Sequence, residues 1–252
     1  MRIAITTPNG NVGRHLIRML VRVGVRPVLL ARHPAQIARE LRPLVDTVEA
    51  DSLDRDEVVA ATRAIDAVYW VNPSPMTADP LAEHARASEA IVGAVRANGI
   101  RRVVFHSSVG AEKRHCVGGI DGLAATELSL DALDVDVTHL RCGCFFSNLT
   151  RDVAAIRQGE IDTVLRVDHA LRWVAPRDVA EMAALCLLDE GWQARHVRAV
   201  HGPRDLSWRD VTRILFDHVG NAVAARQISD ADMMSRYLGP GSPVVSRRRY
   251  WG

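Results

Sequence analysis

The opening 32 residues limit the fold more than any other stretch of the chain, because they combine a strand pattern, a glycine turn and a helix pattern in one continuous order. Residues 2–6 are a short apolar and β-branched run, and Thr7-Pro-Asn-Gly-Asn-Val-Gly13 is a turn. Val12, Leu16, Ile17, Leu20 and Val21 then recur at helical spacing before a second apolar run over 27–31. This is a β-α-β unit. Gly10 and Gly13 stand where such a unit brings its backbone against a pyrophosphate, with the first N–H groups of the helix facing the negative charge. Thr7, Asn9, Asn11 and Val12 complete the turn as candidate cofactor contacts, although Thr7 occupies the place where a first glycine is usual.

Arg32 ends the second strand at the point where an acidic residue would accept hydrogen bonds from a ribose. A guanidinium there suits a 2′-phosphate, so NADP(H) is expected in preference to NAD(H); a solvated strand end is the alternative. Asp51 and Ser52, after the apolar stretch 47–50, are candidates for the adenine edge, and Ser52 or Asp54 would equally serve as a helix cap.

Strand and helix patterns keep alternating: extended over 65–71, helical over 81–97, extended over 102–108, helical over 123–133 and extended over 137–141. Alternation of this kind implies an α/β fold with a doubly wound parallel sheet and right-handed crossovers. Ligands bind outside the carboxyl ends of such strands, which adds Val71, Asn72, Ser107 and Ser108 to the cofactor candidates and Cys142, Phe145 and Asn148 to those for substrate. The strand end over 71–74 belongs to the same set, and the tail 246–251 is the one concentrated basic run. A turn and amphipathic helix over 173–188, a late strand over 197–202 and a helix over 206–220, capped by Ser207 and closed by Gly220, follow. The expected organisation is one domain over 1–252, with a core of about 1–145 and a small C-terminal substrate lobe of about 146–252.

Composition narrows the function classes. An apolar fraction of 48% over 252 residues supports a sizeable core, and a net charge of +2 gives no nucleic-acid footprint. Met1 leads directly into an apolar strand, and no apolar run approaches the ~20 residues of a membrane span, so a cytoplasmic protein, monomeric or homodimeric, is expected. Cys116, Cys142, Cys144 and Cys186 lack paired metal-site spacing and the ten histidines form no ligand motif, so no metal is expected.

Eight ordered segments, TTPNGNVGRHLIRML, LLAR with HPAQ, EADSLDRDEVVAA, IDAVYWVNP, RVVFHSSVGAE, ELSLDALDVDVTHLRCGCFFSNL, WVAPRDVAE and GPRDLSW, together resemble the NmrA-like group of atypical short-chain dehydrogenase/reductases. The resemblance runs from residue 1 to about 208. It implies an NADP(H)-preferring Rossmann domain with a small substrate lobe, in a group that includes quinone and phenylpropanoid reductases, regulators and enzymes of secondary metabolism.

One departure is chemical. Many dehydrogenases of this superfamily donate a proton from a tyrosine placed four residues before a lysine, and the ammonium lowers the phenol pKa. The single lysine here is Lys113, four residues after Val109, and the tyrosines are Tyr69, Tyr237 and Tyr250. Aligning Glu127 and Leu130 with the group's E-x-x-L pattern puts Leu123 at the lysine position and Gly119 at the tyrosine position. The expected activity is therefore NADPH-dependent reduction of a small quinone-like or enone-like molecule whose product anion is already stabilised. An NADP(H)-sensing regulator and a redox-neutral cyclase, dehydratase or isomerase remain the alternatives. His106 and His115 are the candidate proton relays, with a buried structural histidine as the other reading of His106.

Overall fold

A computed structural model describes residues 1–73 and 79–238, apart from the side chains of 234 and 236–238; Ser74 and the Arg-rich tail lie outside the described residues. From the N-terminus run β1 (Ile3–Thr6), α1 (Gly13–Arg22), β2 (Val28–Ala31), β3 (Asp46–Glu49), α2 (Arg55–Ala61), β4 (Ala67–Trp70), α3 (Pro80–Asn98), β5 (Arg102–Ser108), α4 (Ile120–Asp131) and β6 (Asp136–Cys142). The chain then builds β7 (Cys144–Phe145), α5 (Val153–Arg157), β8 (Glu160–Thr163) and β9 (Trp173–Val174). It continues through α6 (Pro176–Leu188), β10 (Arg195–Val200), α7 (Trp208–Val219), β11 (Ala224–Gln227) and α8 (Asp230–Leu238).

The first of two units comprises 1–142 and 176–200. Its seven strands are ordered β10-β6-β5-β4-β1-β2-β3, and every neighbouring pair is parallel. Parallel strands need covering on both faces, and the alternation of side chains supplies two apolar surfaces. On one, Trp70, Phe105, Val103 and Val137 pack with Val58 of α2, Ala87 and Ile91 of α3 and Leu130 of α4. On the other, Ile5, Leu29, Tyr69, Val104 and Leu140 share one parity of the strand register and are fully buried, and α1 and α6 pack together on that side. Each large side chain buried in this way contributes about 1.5–3 kcal/mol.

Local signals explain the helix limits. Asp54 accepts hydrogen bonds from the amides of Asp56 and Glu57 at the start of α2, while Asp79 and Pro80 begin α3. Ser207 and Asp210 form a reciprocal capping box on α7, which ends at Gly220 as its sequence implies.

Among the described residues the second unit comprises 143–175 and 201–238. Within it β8 pairs with β11 and β7 with β9, both in parallel, around an aromatic cluster in which Phe146 stacks on Trp173 and Trp208 meets Trp173 edge-on. Trp173 is anchored by its indole N–H, which donates to the Leu206 carbonyl at 3.0 Å.

Candidate functional site

The β1–α1 turn is held by its own backbone. Gly10 donates its N–H to the Thr7 carbonyl at 2.9 Å, and Arg14 donates to the Gly10 carbonyl at 3.2 Å. A Cβ at Gly13 would collide with the Thr7 carbonyl and lie 3.0 Å from that of Pro8, whereas one at Gly10 would lie 3.1 Å from the Thr7 carbonyl. Thr7 itself has φ +48°, in the left-handed region that glycine enters readily and a β-branched residue seldom does. The turn thus keeps the geometry of a glycine turn with threonine in its first position. Val12 begins α1 without a side-chain cap, so the positive end of the helix stays open to an anion. Asn9 and Asn11 lie on the same turn, Asn11 exposed.

Arg32 is exposed just past the end of β2, and among the described residues its guanidinium makes no hydrogen bond or ion pair. Asp51 is committed locally: its carboxylate accepts the Leu53 N–H at 3.0 Å, and its own N–H donates to Glu57. Ser52 is half-buried in the same turn, and the cap of α2 is Asp54.

At the ends of β4 and β5 the side chains divide between the two faces. Asn72 turns towards α3 and α4: its Oδ1 accepts from the Trp70 indole at 2.9 Å and its Nδ2 donates to Thr126 at 2.8 Å, with His84 Nδ1 at 3.3 Å. Ser107 faces the same way and donates its hydroxyl to Glu127 at 2.6 Å. These two side chains, expected at the cofactor, here hydrogen-bond side chains of the helices that cover this face of the sheet. The Val71 N–H donates to Thr6 Oγ1 and so ties β4 to β1, and Ser108 donates to the Val109 carbonyl.

His106 lies on the opposite face. Its Nδ1 is 2.6 Å from the hydroxyl of Tyr69, with the rings edge to face. Burial pushes the His106 pKa down to about 4, so the ring is neutral at pH 7, and burial raises the Tyr69 phenol well above its ordinary value. Cys142 shares this face of the sheet, since Leu140 pairs with His106 and Cys142 with Ser108. Burial raises its thiol, which therefore stays protonated. His115 is exposed in the loop between β5 and α4.

Phe145 and Asn148 belong to the second unit. Phe145 lies in β7, and Asn148 Nδ2 approaches the Cys144 sulfur at 3.8 Å.

The most concentrated charge near the strand ends was not legible as a site. Glu127 of α4 is wholly buried and receives Ser107, a two-point contact from Arg141 (3.0 and 2.7 Å) and Nη1 of Arg114 at 2.7 Å. Burial alone would raise its pKa, but Arg141 and Ser107 outweigh that effect and hold it below the ordinary carboxyl value. The register was the available signal: Ser107 and Arg141 are paired residues of neighbouring strands, so one acid on the covering helix reaches both. The Tyr69–His106 pair is legible in the same way, since Tyr69 pairs with Val104 and His106 is two residues further on.

Comparisons with known proteins agree with this architecture. A family model described as NAD(P)H-binding matches residues 8–190. The chain is 28% identical over 244 residues to a (4-alkanoyl-5-oxo-2,5-dihydrofuran-3-yl)methyl phosphate reductase of Streptomyces griseus, covering 94% of this chain and 82% of that protein. It is 26% identical over 243 residues to an NAD(P)H azoreductase of Xenophilus azovorans, covering 96% and 82%. Among solved structures, an NADPH-dependent quinone oxidoreductase of Escherichia coli in complex with NADPH superposes with a TM-score of 0.80 at 21% identity, covering 96% of this chain and 83% of that one. The triphenylmethane reductase of Citrobacter sp. complexed with NADP(H) gives 0.81 at 17%, covering 97% and 85%. No helix among the described residues is long and apolar enough to cross a membrane. The chain belongs to the NAD(P)H-binding family whose model it matches, in line with the NmrA-like resemblance of its sequence segments.

Proposed function

We propose that the protein is an NADPH-dependent reductase of small conjugated acceptors, quinones or enones, and that it works without a tyrosine–lysine proton donor. The observation that carries this reading is the pairing of an open α1 N-terminus with an exposed, uncommitted Arg32 at the next strand end. The first suits a pyrophosphate and the second a 2′-phosphate. Thr7, Gly10 and Val12 would line the diphosphate through backbone groups, with Gly13 keeping the helix start close to β1.

When bound, NADPH would supply a hydride, whose transfer to a conjugated acceptor leaves negative charge on an oxygen of that acceptor. The side chains here favour acceptors that carry that charge themselves. His106 is a neutral imidazole engaged by Tyr69, Cys142 is a protonated thiol, and Lys113 is exposed in the loop after β5. Neither the imidazole nor the thiol is a poised acid for an isolated alkoxide. One relative supports the choice of acceptor class, since it is named for a lactone with a ring double bond next to carbonyl groups.

The test is fluorescence titration with NADPH and NADH, followed by turnover with a quinone, an enone and a simple ketone. NADPH is expected to bind at least about tenfold more tightly than NADH, as charge-assisted hydrogen bonds to a phosphate allow. Arg32→Ala is expected to erase most of that preference. Equal affinities for the two nucleotides in the unaltered protein would refute the Arg32 assignment, and ready reduction of the simple ketone would refute the acceptor class.

A further inference from the structure

We propose that Arg114 is the oxyanion-binding residue of this site, its free guanidinium edge hydrogen-bonding the conjugated oxygen of the acceptor on which negative charge collects. The proposal rests on the reductase reading given above.

Arg114 lies in the loop that leaves the carboxyl end of β5, the edge at which open parallel sheets meet their ligands. Its backbone has φ +67°, a left-handed conformation that a non-glycine residue seldom adopts. The side chain holds that conformation in place. Nη1 donates to Glu127 at 2.7 Å and lies 3.4 Å from the Ala124 carbonyl, so the guanidinium is laid along α4 in one orientation. Two residues on, Cys116 also has a positive φ, and the amides of Cys116 and Val117 donate to the Asp121 carboxylate. The loop is thus fastened to α4 on both sides of His115.

Glu127 does not need Arg114. Arg141 already occupies both of its oxygens, and Ser107 adds a third hydrogen bond. Arg114, in turn, uses one of its three nitrogens: among the described residues, Nε and Nη2 make no hydrogen bond, and the side chain is 35% exposed. A guanidinium fixed at one end, with a planar pair of donors presented at the other, is matched to an oxygen that gains charge during a reaction. Arginine keeps its proton, so it stabilises an anion without acting as an acid, and the reduced acceptor takes its proton from water. That fits a site lacking a tyrosine–lysine pair.

The probe is 2-hydroxy-1,4-naphthoquinone, whose anion spreads charge over conjugated oxygens, titrated by visible absorbance in the presence of NADP⁺ so that no turnover occurs. Arg114→Met is expected to weaken probe binding at least tenfold, to leave NADPH affinity within twofold and to unfold within a few degrees of the unaltered protein. Arg114→Lys retains the ion pair with Glu127 and tests the donor geometry if the methionine variant does not fold; a loss of at least threefold is expected. Unchanged probe affinity in the folded variants would overturn the proposal, as would an unaltered protein that binds NADPH but not the probe. Failure to bind NADPH at all would instead strike the reductase reading on which the proposal stands.

Discussion

Thr7 and Gly13 show how far one residue type can substitute for another in a phosphate-binding turn. A threonine with φ +48° is strained, and the strain persists because Gly10 and Gly13 let the backbone close around its carbonyl. Thr7→Gly should therefore stabilise the protein by about 1 kcal/mol, a rise of roughly 2–4 °C in melting temperature for a chain of this size, with NADPH affinity kept. A lower melting temperature would mean that the threonine side chain contributes more than its backbone costs. Gly13→Val should do the reverse, since its Cβ meets two carbonyls that belong to the turn; a loss of about 1–3 kcal/mol and of nucleotide binding is expected in calorimetry and titration.

At the scale of elements, α4 is the informative case. Its sequence reads as an ordinary helix, and it runs over Ile120–Asp131, three residues earlier at its start than the apolar spacing from Leu123 suggests. In the sequence alignment on Glu127 and Leu130, Gly119 matches the tyrosine and Leu123 the lysine; in the structure the helix carries a buried acid, Glu127. Glu127→Gln removes the charge that two guanidinium groups share, and breaking a buried pair in this way costs about 3–5 kcal/mol. Urea unfolding should show a loss of that order for Glu127→Gln and a much smaller one for Arg114→Met. Comparable losses would mean that Arg114 is chiefly a structural partner of Glu127.

At the scale of the whole molecule, buried histidines couple stability to pH. His106 has a folded pKa of about 4 against an ordinary value of 6.5, so between those values the unfolded chain binds the additional proton and stability falls as pH falls. Burial lowers His84 as well, and burial together with Arg14, Arg18 and Arg177 lowers His15, so both act in the same direction. Glu127 and Asp66, held below their ordinary values, add their losses only in more acid solution. Urea midpoints should therefore drop between pH 7 and pH 5, and His106→Gln should flatten that slope. A midpoint independent of pH over this interval would contradict the buried neutral imidazole.

Sequence by itself determined the repeating units of this protein. The apolar periods, the Ser207 cap, a cap at Ser52 or Asp54 and the glycine turn are local, and each is legible because backbone sterics and helix-end hydrogen bonds act over a few residues. The strand over Arg102–Ser108 and the helix over Trp208–Val219 follow from those signals alone. Only the tertiary structure decided what the side chains at the strand ends do. Asn72 and Ser107 carry the polarity of ligand contacts, yet the pairing of β4, β5 and β6 turns them into the interface with α3 and α4, while His106 faces away from them and finds Tyr69. The return of α6 and β10 to the sheet unit, after the chain has built part of a second one, is equally non-local. The physical reason is common to both: an element forms from neighbours in sequence, whereas the face it presents and the partner it meets depend on register between strands far apart in the chain.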